Sequence, residues 1–166
     1  MRYGLIGIAI VALVALLWIF RTQEVPTPRV GHSNQDRVVK SDAEWQKILT
    51  PEQFKVTRRK GTERAGSGKY AHSKDDGVFH CICCDQPLFD AKTKYESGTG
   101  WPSFWQPIDP NNVSLVQDDS MFTRRTEVIC SRCDAHLGHV FRDGPPPTGL
   151  RYCMNSAALK LVERGK

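Results

Sequence analysis

The 166-residue sequence contains no internal repeat of fixed period, no low-complexity tract and no heptad pattern. These absences remove solenoids, biased disordered scaffolds and coiled coils from consideration. A basic face is also missing. The net charge of +5 comes from scattered lysines and arginines, and the densest run, Arg58-Arg59-Lys60, has neither a repeating basic partner nor interleaved aromatics. A solvated surface is therefore expected, and no nucleic-acid partner. The balance of charged and apolar residues suits one compact domain plus an appendage.

Charge is absent altogether from Tyr3 to Phe20, "YGLIGIAIVALVALLWIF". This run is about long enough to cross a hydrocarbon core as a helix, so residues 1–21 are predicted to be a membrane anchor. The rival reading is a cleaved signal peptide, which has a shorter apolar region ending in a small-x-small site. The run instead ends in "LWIFRTQ". Arg2 lies on one side and Arg21 and Arg29 on the other, so the charge rule decides little. A short head before an amino-terminal apolar segment resembles a signal-anchor, which places the carboxy-terminal domain outside the cytoplasm, in the periplasm of a bacterium. Residues 22–40, with Pro26, Pro28 and Gly31 and no apolar periodicity, read as a linker. The domain proper is expected over residues 41–166.

Ser41 offers an N-cap to a short helix through "DAEWQKIL", with Trp45 and Ile48 expected on one face. Thr50-Pro51 opens a second, with Gln53 one place short of the usual capping-box position. Beyond Gly61 the texture changes to short runs broken by glycine, proline and aspartate: "GVFHCICC", "SLVQD", "TEVICSRC", "HLGHVF" and "LRYCMNSAALKLV". Their length and mixed alternation predict antiparallel strands, hence an all-β core preceded by small helices.

Cys81 with Cys84 and Cys130 with Cys133 form two C-x-x-C pairs. Together they supply the full tetrahedral thiolate shell of one structural Zn2+. The long intervening segment means that such a site would clamp distant strands together. Two alternatives stand beside zinc: disulfides, if the domain is exported, and a redox dithiol, which belongs at a strand-to-helix junction of a βαβ unit that is not visible here. Cys83, inside "CICC", falls outside the regular knuckle.

Cys153 stands apart from both pairs. A free cysteine is most often a small buried apolar residue. In "RYCMNS", however, Arg151 lies two residues before it and Asn155 two after, so an extended strand would turn all three side chains to one face. A neighbouring guanidinium lowers a thiol pKa, and the Asn155 amide could orient a partner.

"GTGWPSF", "RTEVICSRCDAHLGHVFRDGP" and "TGLRYCMNSAAL" resemble the type B methionine sulfoxide reductases, which reduce the R epimer of methionine sulfoxide in peptides and proteins. The resemblance covers roughly residues 45–162. It implies a mainly β fold of two antiparallel sheets with short amino-terminal helices, and a structural zinc on Cys81, Cys84, Cys130 and Cys133. It also implies that Cys153 is the nucleophile, passing through a sulfenic acid that a thioredoxin-like thiol reductant returns to thiol. His139 is then the expected proton donor to the sulfoxide oxygen, with His136 and Asn155 on the polar side and Arg151 beside the thiolate. Trp101 matches the aromatic wall against the substrate methyl, and Phe104 is a candidate second wall.

The chain departs from the family pattern at Thr99, where many members carry a second cysteine in the glycine-rich motif. Two routes back to the Cys153 thiol remain: direct reduction by an external thiol, or a disulfide with Cys83. Gly66 stands where the family commonly has phenylalanine, which alters local packing. The competing class is a zinc-ribbon binding module in which Cys153 is only buried; such a module has no use for Cys153, Arg151, Asn155, His139 and Trp101 together.

Overall fold

The computed structural model describes residues 37–120 and 124–165. The expected anchor and the linker as far as residue 36 lie outside the described residues. No helix among those described is long and apolar enough to cross a membrane. The last four linker residues have no regular secondary structure, yet Val38 donates its N–H to the Arg132 carbonyl and Arg37 pairs with Asp134. The chain thus runs along the second cysteine knuckle before the first helix begins.

Helix α1, Asp42–Ile48, starts at Ser41, whose hydroxyl accepts the Glu44 N–H while Glu44 reaches back to the Ser41 N–H. Its buried residues are Trp45 and the C-cap Leu49, whereas Ile48 is 58% exposed. The expected pairing of Trp45 with Ile48 is corrected here: the chain leaves the helix at Leu49, and that residue, one step further round, meets the core. Helix α2, Pro51–Arg58, begins at Thr50. Gln53 sits at N3 and closes a complete box, its Oε1 accepting the Thr50 N–H at 2.9 Å. It is not one place short.

Nine strands follow among the described residues: β1 Gly77–Cys81, β2 Pro87–Asp90, β3 Lys94–Tyr95, β4 Ser103–Phe104, β5 Val113–Asp118, β6 Arg125–Cys130, β7 His136–Phe141, β8 Arg151–Met154 and β9 Leu159–Glu163. They form two antiparallel sheets, one ordered β2-β1-β9 and the other β3-β4-β8-β7-β6-β5. "LRYCMNSAALKLV" is therefore not one strand. A 3-10 turn at Ser156–Ala158 carries it from the larger sheet into the smaller.

The sheets meet over an aromatic core. Phe89 of β2 stacks on Phe104 of β4 with ring centroids 4.6 Å apart, and Phe79 of β1 meets Phe104 edge-on at 5.1 Å. Tyr152 of β8 joins from the larger sheet. Phe104 is fully buried in this stack, which corrects its assignment as a substrate wall: its partner on β8 is Tyr152, on the core face opposite to Cys153.

Candidate active site

The two cysteine knuckles have the same backbone. Asp85 donates its N–H to the Cys81 carbonyl at 2.9 Å, and Asp134 does so to Cys130 at 2.9 Å. Both aspartates adopt positive φ, 64° and 57°, a conformation that aspartate tolerates better than most residues. One knuckle caps the end of β1 and the other the end of β6, so the four sulfurs join the two sheets.

All four sulfurs lie within 4.8 Å of one another, with Cys81 to Cys133 at 3.7 Å and Cys84 to Cys130 at 3.5 Å. Zn–S bonds of about 2.3 Å in a tetrahedron place sulfurs about 3.8 Å apart, so the cluster fits a zinc shell. The chemistry of the donor set agrees. The thiol of Cys81 is pushed well up, chiefly by the Cys130 and Cys133 sulfurs, while Cys84 is pulled down by hydrogen bonding to Cys130. Four adjacent thiols cannot all ionise unaided, and a dication relieves that conflict. Cys83 is held against the same cluster, interacting with Cys133, Cys81 and Thr57.

Cys153 lies in the middle of the larger sheet. Cross-strand register sets Tyr95 opposite Ser103, Ser103 opposite Cys153, Cys153 opposite His139, and His139 opposite Glu127. Directly opposed residues share a face, so these five side chains form a row across five strands. Gly138 permits the close approach of β7 and β8, because a Cβ there would lie 2.1 Å from the Cys153 carbonyl oxygen.

The histidines are each fixed through one nitrogen. His139 Nε2 is 2.8 Å from Asp118 Oδ2, and Asp118 is also tied to Arg125 at 2.7 Å. His136 Nδ1 is 2.7 Å from Glu127 Oε1, and the other oxygen of this buried carboxylate accepts from Lys60 at 2.8 Å. His136 Nε2 is buried without a protein partner. The two rings are edge to face, 5.4 Å apart. Burial lowers the His139 pKa, opposed by Asp118, so the ring is neutral at neutral pH.

Arg151 shares the face of Cys153 but is engaged elsewhere. Its Nε and Nη2 each donate to Asp143 at 2.8 Å, and its guanidinium stacks 4.4 Å from the Phe141 ring centroid. Thr99 Oγ1 is 3.9 Å from Cys153 Sγ and 2.9 Å from Ser97 Oγ, which bonds the Ser103 hydroxyl at 2.8 Å. Burial raises the Cys153 pKa; Thr99, Arg151 and Ser103 pull it down without prevailing. The effect expected of Arg151 is present, and desolvation outweighs it.

Asn155 does not share the face of Cys153. Strand β8 ends at Met154, and the Asn155 side chain turns inward. Its Oδ1 accepts from the Glu63 N–H and its Nδ2 donates to the Leu137 carbonyl, both at 3.1 Å. Glu63 is the anchor that the sequence reading missed. Its carboxylate accepts the N–H groups of Ser156 and Ala157, and its carbonyl accepts the Trp101 indole N–H at 3.2 Å. Trp101 is half-buried beside the site. Also missed were Glu127, Asp118, Asp143, Tyr95 and Ser103, which reach the site through cross-strand register or paired side chains.

Two sheets joined by a four-cysteine cluster that fits a metal ion, with a thiol set opposite an imidazole, suit a thiol-based oxidoreductase. Residues 49–163 match the model of the SelR domain. The chain is 60% identical over 129 residues to the peptide methionine sulfoxide reductase MsrB of Pseudomonas syringae pv. syringae, covering 78% of this chain and 98% of that protein. It is 57% identical over 126 residues to MsrB of Hahella chejuensis, covering 76% and 91%. Peptide methionine sulfoxide reductase B1, chloroplastic, of Arabidopsis thaliana is 63% identical over 122 residues, covering 73% and 60%. The chain belongs to the MsrB family.

Proposed function

We propose that this chain reduces the R epimer of methionine sulfoxide in peptides and proteins, with Cys153 as nucleophile. The observation that carries the reading is Cys153 directly opposite His139 in a chain with 60% identity to an MsrB. At neutral pH the site holds a thiol beside a neutral imidazole. His139 takes the thiol proton as the sulfur attacks the sulfoxide sulfur, then returns it to the sulfoxide oxygen. Its Nε2 is held by Asp118, which leaves Nδ1 for this transfer. The oxygen passes to Cys153, which becomes a sulfenic acid, and methionine leaves; the substrate sulfur gains the two electrons that Cys153 loses. His136 supports the polar side, Arg151 favours the anionic sulfur, and Trp101 faces the substrate methyl.

Two external thiols then restore Cys153, releasing water and leaving as a disulfide. Thr99 provides no sulfur, and the groups that act most strongly on Cys83 are Cys133, Cys81, Thr57 and Arg58, whereas those that act on Cys153 are Thr99, Arg151 and Ser103. A thioredoxin-like thiol is the proposed reductant. Zn2+ on Cys81, Cys84, Cys130 and Cys133 would pin β1 to β6 and take no part in the chemistry. We assign the reductase to residues 41–166, tethered by the linker 22–40 to an anchor at 1–21, with the domain outside the cytoplasm.

The test is a single turnover without reductant, followed by peptide mapping. One oxygen added at Cys153 with a free Cys83 is expected. A Cys83–Cys153 disulfide would refute the external-thiol route, and unmodified Cys153 beside released methionine would refute the nucleophile.

A further inference from the structure

Tyr95 closes the catalytic row on the flank opposite His139. Its phenol oxygen is enclosed and has no protein partner within hydrogen-bond reach. Buried hydroxyls are nearly always bonded, so this one requires an explanation. Its surroundings are polar, because Arg151, Asp143 and Cys153 all act on it electrostatically. None of them is bonded to it. Arg151 and Asp143 satisfy each other through two bonds of 2.8 Å. The intervening Ser103 hydroxyl is paired with Ser97 at 2.8 Å and with the Trp101 carbonyl at 3.2 Å, and the Cys153 sulfur has Thr99 at 3.9 Å. Burial above all, against the opposing charge of Arg151, raises the Tyr95 pKa, so the phenol is protonated and donates at neutral pH.

A donor without an acceptor, in the same cross-strand row as the nucleophile and within its electrostatic reach, among groups already committed to one another, is suited to an acceptor that arrives during turnover. We propose that Tyr95 donates a hydrogen bond to the oxygen that enters the Cys153 site, on the flank opposite His139. The assignment rests on the reaction described above. The acceptor is one chemical group at two stages, the sulfoxide oxygen before transfer and the oxygen borne by Cys153 after it. Held from both flanks, that oxygen is oriented while the S–O bond is exchanged.

Tyr95→Phe removes the hydroxyl and keeps the ring. In the full chain two rates are compared with wild type: methionine formation in a single turnover, and reduction of oxidised Cys153 by dithiothreitol. A drop of about tenfold in one of them, the worth of one hydrogen bond, is expected. A drop in the first places the contact on the sulfoxide, and a drop in the second places it on the oxidised cysteine. The melting temperature should hold or rise, because the hydroxyl has no bond in the fold to lose. Both rates within about twofold of wild type would overturn the proposal. So would a lowered melting temperature, which would show that the hydroxyl is bonded within the fold. If wild type itself formed no methionine, the reaction assignment would fail first, an outcome distinct from a normal wild type matched by its variant.

Discussion

Replacing Asn155 with alanine separates scaffolding from chemistry at the site. The side chain makes two buried hydrogen bonds at 3.1 Å, to the Glu63 N–H and to the Leu137 carbonyl. The Leu137 carbonyl keeps a second donor, the Asn155 backbone N–H at 2.8 Å. The Glu63 N–H has no comparable substitute and is left unpaired. An orphaned buried donor costs about 1–3 kcal/mol and the other lost bond about 1 kcal/mol. The total is about 3 kcal/mol, or roughly 10 °C in Tm for a domain of this size. Glu63 also holds the Trp101 indole at 3.2 Å, so KM for a sulfoxide peptide should rise while kcat, measured well below the new Tm, stays within about threefold of wild type. Thermal unfolding and steady-state kinetics on the same preparation provide the assay. An unchanged Tm with a hundredfold loss of kcat would refute the reasoning and put Asn155 in the reaction.

Cys130→Ser removes one of four sulfurs joining the sheets, so metal analysis should show loss of stoichiometric zinc together with loss of cooperative unfolding; retention of both contradicts the clamp. Gly138→Ala sets a Cβ 2.1 Å from the Cys153 carbonyl oxygen and 2.9 Å from the Met154 Cα. Both are backbone atoms of the neighbouring strand, and denaturant unfolding should show a loss of about 3 kcal/mol or more; a change below about 0.5 kcal/mol would mean that β8 yields freely. Alkylation of resting Cys153 by iodoacetamide should still accelerate with pH beyond the ordinary thiol value of 9.0, because burial favours the neutral thiol over the thiolate. A rate already at its plateau by pH 7 would show that Arg151 outweighs burial.

What the sequence disclosed follows the range of each interaction. Both knuckles are legible because two residues between cysteines fix a local turn, and the positive-φ aspartates at 85 and 134 extend the same local geometry. The caps at Ser41 and Thr50 are equally local. The opposition of Cys153 and His139 belongs to the pairing of β7 with β8, and no spacing in one chain encodes that register. Glu127 and Asp118 escaped notice for the same reason, since each meets its histidine across strands. Counting by twos from Cys153 failed at Asn155 because β8 ends one residue earlier. Phe104 was misplaced because alternation within "WPSF" does not reveal which face is the core; its stack with Phe89 does.

The central claim is best tested by turnover of each pure epimer of a methionine sulfoxide peptide, with excess dithiothreitol, beside the Cys153→Ser variant. The account predicts that only the R epimer is reduced and that the variant is inactive while remaining folded and zinc-loaded. Reduction of the S epimer, or activity that survives in the variant, would contradict it.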